Sequence, residues 1–138
     1  MADIYGKGPK GKATKLHSLI VRTIGLCERC GSVSNLQCAH IISRTYSATR
    51  TDIRNAFCLC ATCHYHFTIH PVEFGKYVQE RIGKDLYEEL YRTAQAGTQR
   101  KFGKPFWEER VEFLTDIYKR IVEGELDLWE AREYEPAN

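Results

Sequence analysis

Two pairs of cysteines, each with two residues between its members, are the strongest chemical signal in the sequence. Cys27 and Cys30 form the first pair, Cys60 and Cys63 form the second, and 29 residues separate the pairs. Four thiolates are the ligand set of a closed tetrahedral zinc site, and the short spacing within each pair lets backbone amides turn toward the sulfurs. The sequence therefore predicts a structural Zn²⁺ ion, which stabilises a fold that lacks a large core of its own.

The two remaining cysteines, Cys38 and Cys58, are expected to be small buried apolar side chains. Cys58 could in principle replace Cys60 as a ligand, but the resulting C-x4-C spacing is less suited to a zinc-binding turn (a zinc knuckle) than C-x2-C. A disulfide framework is typical of secreted proteins, and the N-terminal residues contain no apolar stretch typical of a secretory signal. We therefore expect metal binding rather than disulfides, and a cytoplasmic location.

Two histidines and an asparagine occur in a fixed order around the second cysteine pair. His40 lies in an apolar, strand-like run, Asn55 ends the polar loop that follows, and His64 comes directly after Cys63. Each residue alone has an ordinary explanation: a hydrogen-bonded structural histidine, a turn-forming asparagine, and an outer partner of the zinc ligands. Their occurrence together inside a zinc frame favours a reaction centre.

This arrangement resembles the HNH family of nucleases, also called ββα-metal or His-Me finger nucleases, in its four-cysteine branch. The matching motifs are CERC at 27–30, AHI at 39–41, Asn55, and CATCH at 60–64. The sequences of these motifs are also similar to those of small phage-encoded HNH proteins of the NinG-like recombination type. The resemblance covers about residues 15–70 and implies an α+β fold with a ββα-metal core that cleaves DNA, related to a phage or mobile element in a bacterial host cell.

The resemblance also implies a role for each residue of the constellation. His40 occupies the position of the general base, which takes a proton from the water that attacks phosphorus. Asn55 occupies the position that fixes the loop and orients the His40 ring. His64 occupies the position of a ligand to one catalytic divalent ion (Mg²⁺, Mn²⁺ or Ni²⁺) that neutralises charge on the phosphate. The expected products carry a 5′-phosphate and a 3′-hydroxyl.

The residue before the base is a departure from the family pattern. Many members have Asp or His there as a second metal ligand, whereas this chain has Ala39. Three explanations stay open: Asp52 could reach the ion from the loop, His40 could itself be a ligand, or the site could be inactive. We favour Asp52 as the ligand, although a salt bridge to Arg50 or Arg54 would explain the presence of Asp52 in the loop almost equally well.

Basic side chains are concentrated in the first half of the chain and are expected to contact nucleic acid. Residues 1–71 carry nine Lys and Arg against three acidic residues, whereas residues 72–138 carry eleven against fifteen. This asymmetry fits a polyanion-binding face. The candidate phosphate contacts are Arg29, Arg44, Arg50, Arg54, Lys12 and Lys15, with Lys7 and Lys10 as further candidates.

The chain is expected to form three segments. Residues 1–13 are predicted to be a flexible basic arm, residues 14–70 the nuclease core with a first helix over 14–25, and residues 71–138 a helical extension packed on that core. Within the extension, apolar periodicity with proline and glycine at the ends predicts helices over 71–83, over 84–96 and from Pro105 to Gly124, and a short or frayed helix in 125–138.

Further expectations concern a possible metal pair, the binding partners and an alternative function. His66 and His70, four residues apart, are a possible metal pair, although Pro71 indicates that His70 ends a helix. DNA is the expected partner, without a membrane, and a homodimer would explain cleavage of both strands. The alternative function is a catalytically silent zinc-stabilised module that binds nucleic acid or a protein.

Overall fold

A computed structural model describes residues 4–136 and has the α+β architecture expected from the sequence. Within these residues, two strands form an antiparallel hairpin and six α-helices surround it. The elements in chain order are α1 (Gly8–Arg22), β1 (Leu36–His40), a 3-10 turn (Ile53–Asn55), β2 (Ala56–Cys60), α2 (Ala61–Ile69), α3 (Pro71–Ile82), α4 (Lys84–Gly97), α5 (Lys104–Val122) and α6 (Leu128–Glu133).

The hairpin and the helix after it form a continuous β–β–α unit. Leu36 of β1 is paired with Cys60 of β2, and His40 with Ala56. Every residue of β2 is buried, which matches its apolar sequence AFCLC. The strand passes directly into α2, where the Cys60 sulfur accepts a hydrogen bond from the Cys63 backbone N–H and so caps the first turn. His40 and His64 therefore lie on neighbouring elements.

The first helix begins at Gly8 instead of Thr14, which corrects the predicted flexible arm over residues 1–13. Pro9 lies in its first turn, a position where proline is well tolerated. The backbone of Gly6 passes so close to Gly11 that a β-carbon there would collide with it. The Lys10 ammonium also lies 5.5 Å from the centre of the Trp107 ring. Residues 8–13 are thus part of the packed fold, and residues 1–3 lie outside the described residues.

The helical extension matches the sequence prediction closely, since α3, α4 and α5 each lie within about two residues of the expected bounds. Its longest helix, α5, packs along α1 and forms the main core with it. The fully buried members of that core include Ile20, Ile53, Leu114 and Ile117. Helix α3 packs on the strands through Val78, and α4 packs through Leu90 on Ile42 in the loop after β1.

A buried ion pair joins the last helix to the hairpin. Arg132 of α6 donates to the Ala56 carbonyl at 2.9 Å and reaches the Glu28 carboxylate at 3.4 Å. The Glu28 carboxylate also accepts from the backbone N–H of Cys58 at 2.7 Å, and the Arg81 guanidinium approaches it at 3.8 Å. Because both side chains are largely shielded from water, the pair fixes the C-terminal helix against β2 and the loop of the first cysteine pair.

No helix in the part of the chain that the structure describes is long and apolar enough to cross a membrane.

We expect Arg132→Met to lower the free energy of unfolding of the zinc-loaded protein by about 3 kcal/mol, because it leaves a buried carboxylate with an incomplete set of partners. The matched control is Lys104→Met, which removes an exposed pair with Glu108 and should cost about 1 kcal/mol or less. Urea denaturation measures both changes. Equal losses in the two variants would show that the Arg132 pair has no special structural role.

Candidate metal centre and histidine cavity

The four cysteines of the two pairs converge on one point. Their sulfurs all lie within 4.8 Å of one another, and Cys30 and Cys60 are 3.7 Å apart. Four thiolates around zinc at about 2.3 Å, in tetrahedral geometry, lie about 3.8 Å from each other. The cluster therefore has the dimensions and the donor set of a structural metal site, as the spacing predicted.

Backbone N–H groups stabilise negative charge on these sulfurs. The N–H of Cys30 points at the Cys27 sulfur (3.5 Å), and that of Cys63 at the Cys60 sulfur (3.4 Å). Burial raises the pKa of Cys27, but backbone hydrogen bonds from Cys60, Cys30 and Arg29 outweigh it and lower that pKa to about 6. Burial raises the pKa of Cys63 to about 12, with the neighbouring thiols adding to the effect. A bound cation would remove this conflict by holding all four as thiolates.

The Arg29 side chain lies beside the cysteine cluster. Its guanidinium donates to the Cys63 sulfur at 3.5 Å and lies 4.8 Å from the centre of the Phe67 ring. It also approaches the Glu73 carboxylate at 3.7 Å. Arg29 is therefore placed to support the thiolates, and its contact with nucleic acid stays a prediction.

Cys38 and Cys58 lie outside the cluster, directly opposite each other on the two strands. Cys60, and not Cys58, is therefore the fourth member of the metal group. Burial raises the pKa of Cys38 to about 12 and that of Cys58 to about 11. Cys58 is fully buried as expected, whereas Cys38 is only partly covered.

His40 stands at the end of β1 with one ring nitrogen engaged and the other available. Its Nε2 lies 2.9 Å from the backbone oxygen of Arg50. A carbonyl oxygen only accepts hydrogen bonds, so Nε2 carries the proton and Nδ1 carries the lone pair in the neutral ring. Burial lowers the pKa of His40, and the nearby charges of Arg50 and Arg44 lower it further. The imidazole is thus held neutral with a fixed tautomer.

His64, in the first turn of α2, has the opposite tautomer. Its Nδ1 lies 2.7 Å from the amide oxygen of Gln37 on β1, so Nδ1 donates and Nε2 keeps the lone pair. Burial lowers the pKa of His64. A hydrogen bond that fixes the distal nitrogen of a histidine is the usual support of a metal ligand. Sequence analysis missed Gln37, whose position two residues before Ala39 on the same strand face was its available signal.

Asn55 fixes the loop between the strands with three hydrogen bonds. Its amide nitrogen donates to the carbonyls of Ile42 and Thr49, both at 3.0 Å, and its amide oxygen accepts from the Ile42 N–H at 2.8 Å. The side chain is fully buried. Because this loop contains Arg50, whose carbonyl binds the His40 ring, Asn55 acts on the histidine through the backbone.

Asp52 is not brought together with His64. Its carboxylate accepts three hydrogen bonds from Arg54, two from the guanidinium and one from the backbone N–H. It lines a different cavity, together with Arg110 and Glu135. Of the two interpretations of Asp52 that the sequence offered, the salt bridge to Arg54 is observed, and it engages both carboxylate oxygens.

His40 and His64 line one cavity of about 550 Å³ between α1, β1 and the start of α2. Its only charged lining residues, within the described chain, are Arg22 and Arg44. Arg22 was missed by sequence analysis because its place beside β1 depends on how α1 packs. The other main lining residues are Thr14, Ser18, Gln37, Cys38 and Ser43. A concave site with two guanidiniums and two neutral imidazoles is suited to bind an anion.

The remaining basic candidates fall into two groups. Arg50 donates to the Thr14 hydroxyl at 2.8 Å and to the Arg44 carbonyl at 3.1 Å, so it supports the loop from within. The Arg54 guanidinium is paired with the Asp52 carboxylate. Lys12 and Lys15 are exposed on α1, the helix that forms one wall of the cavity.

A second histidine group lies apart from this cavity. His66, His70 and Glu73 place their ligand atoms within 4.8 Å of one another, and His66 is hydrogen-bonded to the Glu73 carboxylate at 2.9 Å. None of the three lines the cavity of His40 and His64.

Comparisons with protein-family models, with curated proteins and with solved structures found no match to this chain.

We expect Cys60→Ser to lose the bound metal and much of its helical signal, because one ligand of the cluster and the cap of α2 are removed together. Cys58→Ser is the matched control, since it changes the other buried cysteine of β2 and should keep its metal. Metal content after gel filtration and circular dichroism provide the two measurements. A Cys60→Ser protein that is folded and free of metal would contradict the structural role of the cluster.

Proposed function

We propose that this protein is a metal-dependent DNA endonuclease of the HNH type, which hydrolyses phosphodiester bonds to 5′-phosphate and 3′-hydroxyl ends. One observation carries the proposal: His40 and His64, each with one unengaged nitrogen, line the same cavity, whose charged lining residues are both arginines. The resemblance of residues 15–70 to HNH nucleases supports the same assignment independently of that cavity.

His40 is suited to be the general base. Its lowered pKa keeps the ring unprotonated at neutral pH, so Nδ1 can accept a proton from a water molecule that attacks phosphorus. The Arg50 carbonyl, bonded to Nε2–H, then stabilises the positive charge that develops on the ring. Asn55 contributes by holding the loop that carries this carbonyl.

His64 is suited to hold the catalytic ion, with Gln37 fixing its tautomer. A divalent ion bound there would neutralise charge on the phosphate and on the departing 3′ oxygen. Ala39 is buried and offers no donor, and Asp52 is engaged by Arg54. Since an imidazole is then the main protein ligand, we expect Mn²⁺ or Ni²⁺ to be favoured over Mg²⁺, which prefers oxygen ligands.

Arg22 and Arg44 are suited to hold the phosphodiester between the two histidines. Guanidinium groups bind phosphate oxygens through paired hydrogen bonds and stabilise charge in the transition state. Lys12 and Lys15 extend the basic surface along α1 and would contact the backbone without reading sequence. Because one cavity cuts one strand, cleavage of both strands would require a homodimer or two binding events.

One observation favours the alternative function, a silent binding module. Neither Ala39 nor Asp52 can complete the coordination of an ion at His64. A protein of this kind would keep the cysteine cluster and the basic cavity, and would bind DNA without cutting it.

We expect His40→Ala to cleave a labelled DNA duplex at least roughly 100-fold more slowly than the parent protein, because the group that accepts the proton is lost. His66→Ala is the matched control: His66 lies on α2 three residues after Cys63, but it pairs with Glu73 and does not line the cavity. Gel analysis with Mn²⁺ measures the rate, and the mobility of the labelled ends identifies the products. Cleavage by His40→Ala at the parent rate would exclude His40 as the base.

A further inference from the structure

Besides the four cysteines and the group of His66, His70 and Glu73, three further side chains form a group of possible metal ligands. His17 of α1 and Cys38 and His40 of β1 place one ligand atom each within 4.8 Å of one another. We propose that this triad is a separate binding site for a thiophilic metal ion such as Zn²⁺, and that the ion competes with the proton-accepting role of His40. The second half of this proposal rests on the nuclease function proposed above, whereas the binding site does not.

The hydrogen bonds that both imidazoles donate to the backbone leave Nδ1 with a lone pair. His17 Nε2 lies 2.9 Å from the backbone oxygen of Asp52, so Nε2 donates and the Nδ1 lone pair accepts a hydrogen bond from the Cys38 thiol, whose proton a metal ion would replace. The His40 ring has the same tautomer, with Nε2 bound to the Arg50 carbonyl. A carbonyl that accepts from the distal nitrogen is a common partner of a metal-bound histidine. Burial lowers the pKa of His17 to about 3, so this ring is neutral and able to bind a metal.

The distances and donor types fit zinc. His17 Nδ1 lies 3.7 Å from the Cys38 sulfur, and two ligands at zinc–sulfur and zinc–nitrogen bond lengths lie about 3.6 Å apart in a tetrahedral site. The two imidazole rings are 5.1 Å apart between centres and tilted by 35°. One thiolate and two imidazoles are a borderline-soft ligand set, which Zn²⁺ accepts and Mg²⁺ does not.

The cavity gives this triad an entrance from solvent. Cys38 and His40 line the cavity, while His17 is fully buried behind them. An ion entering from the cavity would displace the Cys38 thiol proton, which leaves to solvent. The nearby charges of Arg22, Arg44 and Arg50 oppose a bare dication. The thiolate and an anion held in the cavity by Arg22 and Arg44 would offset that charge.

Occupancy of the triad would have a consequence for cleavage. The ion would take the Nδ1 lone pair of His40 that is otherwise available to accept a proton from water. Zinc beyond the amount held by the four cysteines would therefore inhibit the nuclease.

The test is a Co²⁺ titration of reduced protein that already carries zinc at the four cysteines. We expect one Co²⁺ to bind with a thiolate-to-cobalt charge-transfer band, and we expect Cys38→Ala to lose this band. Cys58→Ala is the matched control, because Cys58 lies opposite Cys38 on the partner strand and is not in the triad; it should keep the band. His40→Ala, a second variant, should bind the ion at least tenfold more weakly.

Further arms separate this site from the two others. His64→Ala should keep the band, because His64 belongs to the proposed catalytic ion and not to the triad. A band of equal strength in the parent and in Cys38→Ala would originate from the four knuckle cysteines and would overturn the proposal, as would a parent protein without a band. In the cleavage assay, the zinc concentration that halves the rate of each protein should rise at least tenfold in Cys38→Ala, and an unchanged value would exclude inhibition through the triad.

Discussion

The meeting of four cysteine sulfurs is the constraint on which the rest of the arrangement depends. Cys27 and Cys30 come from the loop after α1, whereas Cys60 ends β2 and Cys63 lies in α2. Without a cation, four thiols, three of them buried, share one small volume, although the pKa of Cys27 is lowered and that of Cys63 is raised. A metal ion bound there would fix the start of α2, and His64 follows Cys63 directly. The cluster thus determines where His64 on α2 meets Gln37 on β1.

A separate network of hydrogen bonds holds the loop that positions His40. Asn55 closes the loop that carries the Arg50 carbonyl, and the helical extension secures the same loop from outside. Arg110 of α5 donates to the Thr51 carbonyl, while Glu135 accepts the Ile53 N–H and pairs with Arg110. The extension carries no motif in sequence, yet it stabilises the backbone on which the His40 tautomer depends.

Local spacing made the cysteine cluster, the hairpin-to-helix transition and the later helices predictable, because each depends on residues close together in the chain. Contacts between distant residues decided what the sequence could not predict. The start of α1 depends on the approach of Gly6 to Gly11, and Arg22 and His17 reach the cavity only through the packing of α1 on β1. Asp52, whose role as a ligand stays a prediction, has its carboxylate paired with Arg54 two residues away.

The most direct measurement is nicking of supercoiled plasmid by the zinc-loaded parent protein in separate reactions with Mg²⁺, Mn²⁺, Ni²⁺ and EDTA. We expect nicked circles with Mn²⁺ or Ni²⁺, weaker activity with Mg²⁺, and none with EDTA at a concentration that leaves the cysteine-bound zinc in place. A folded protein with one tightly bound zinc that binds the plasmid but leaves it supercoiled with every ion would contradict the nuclease and favour the silent module.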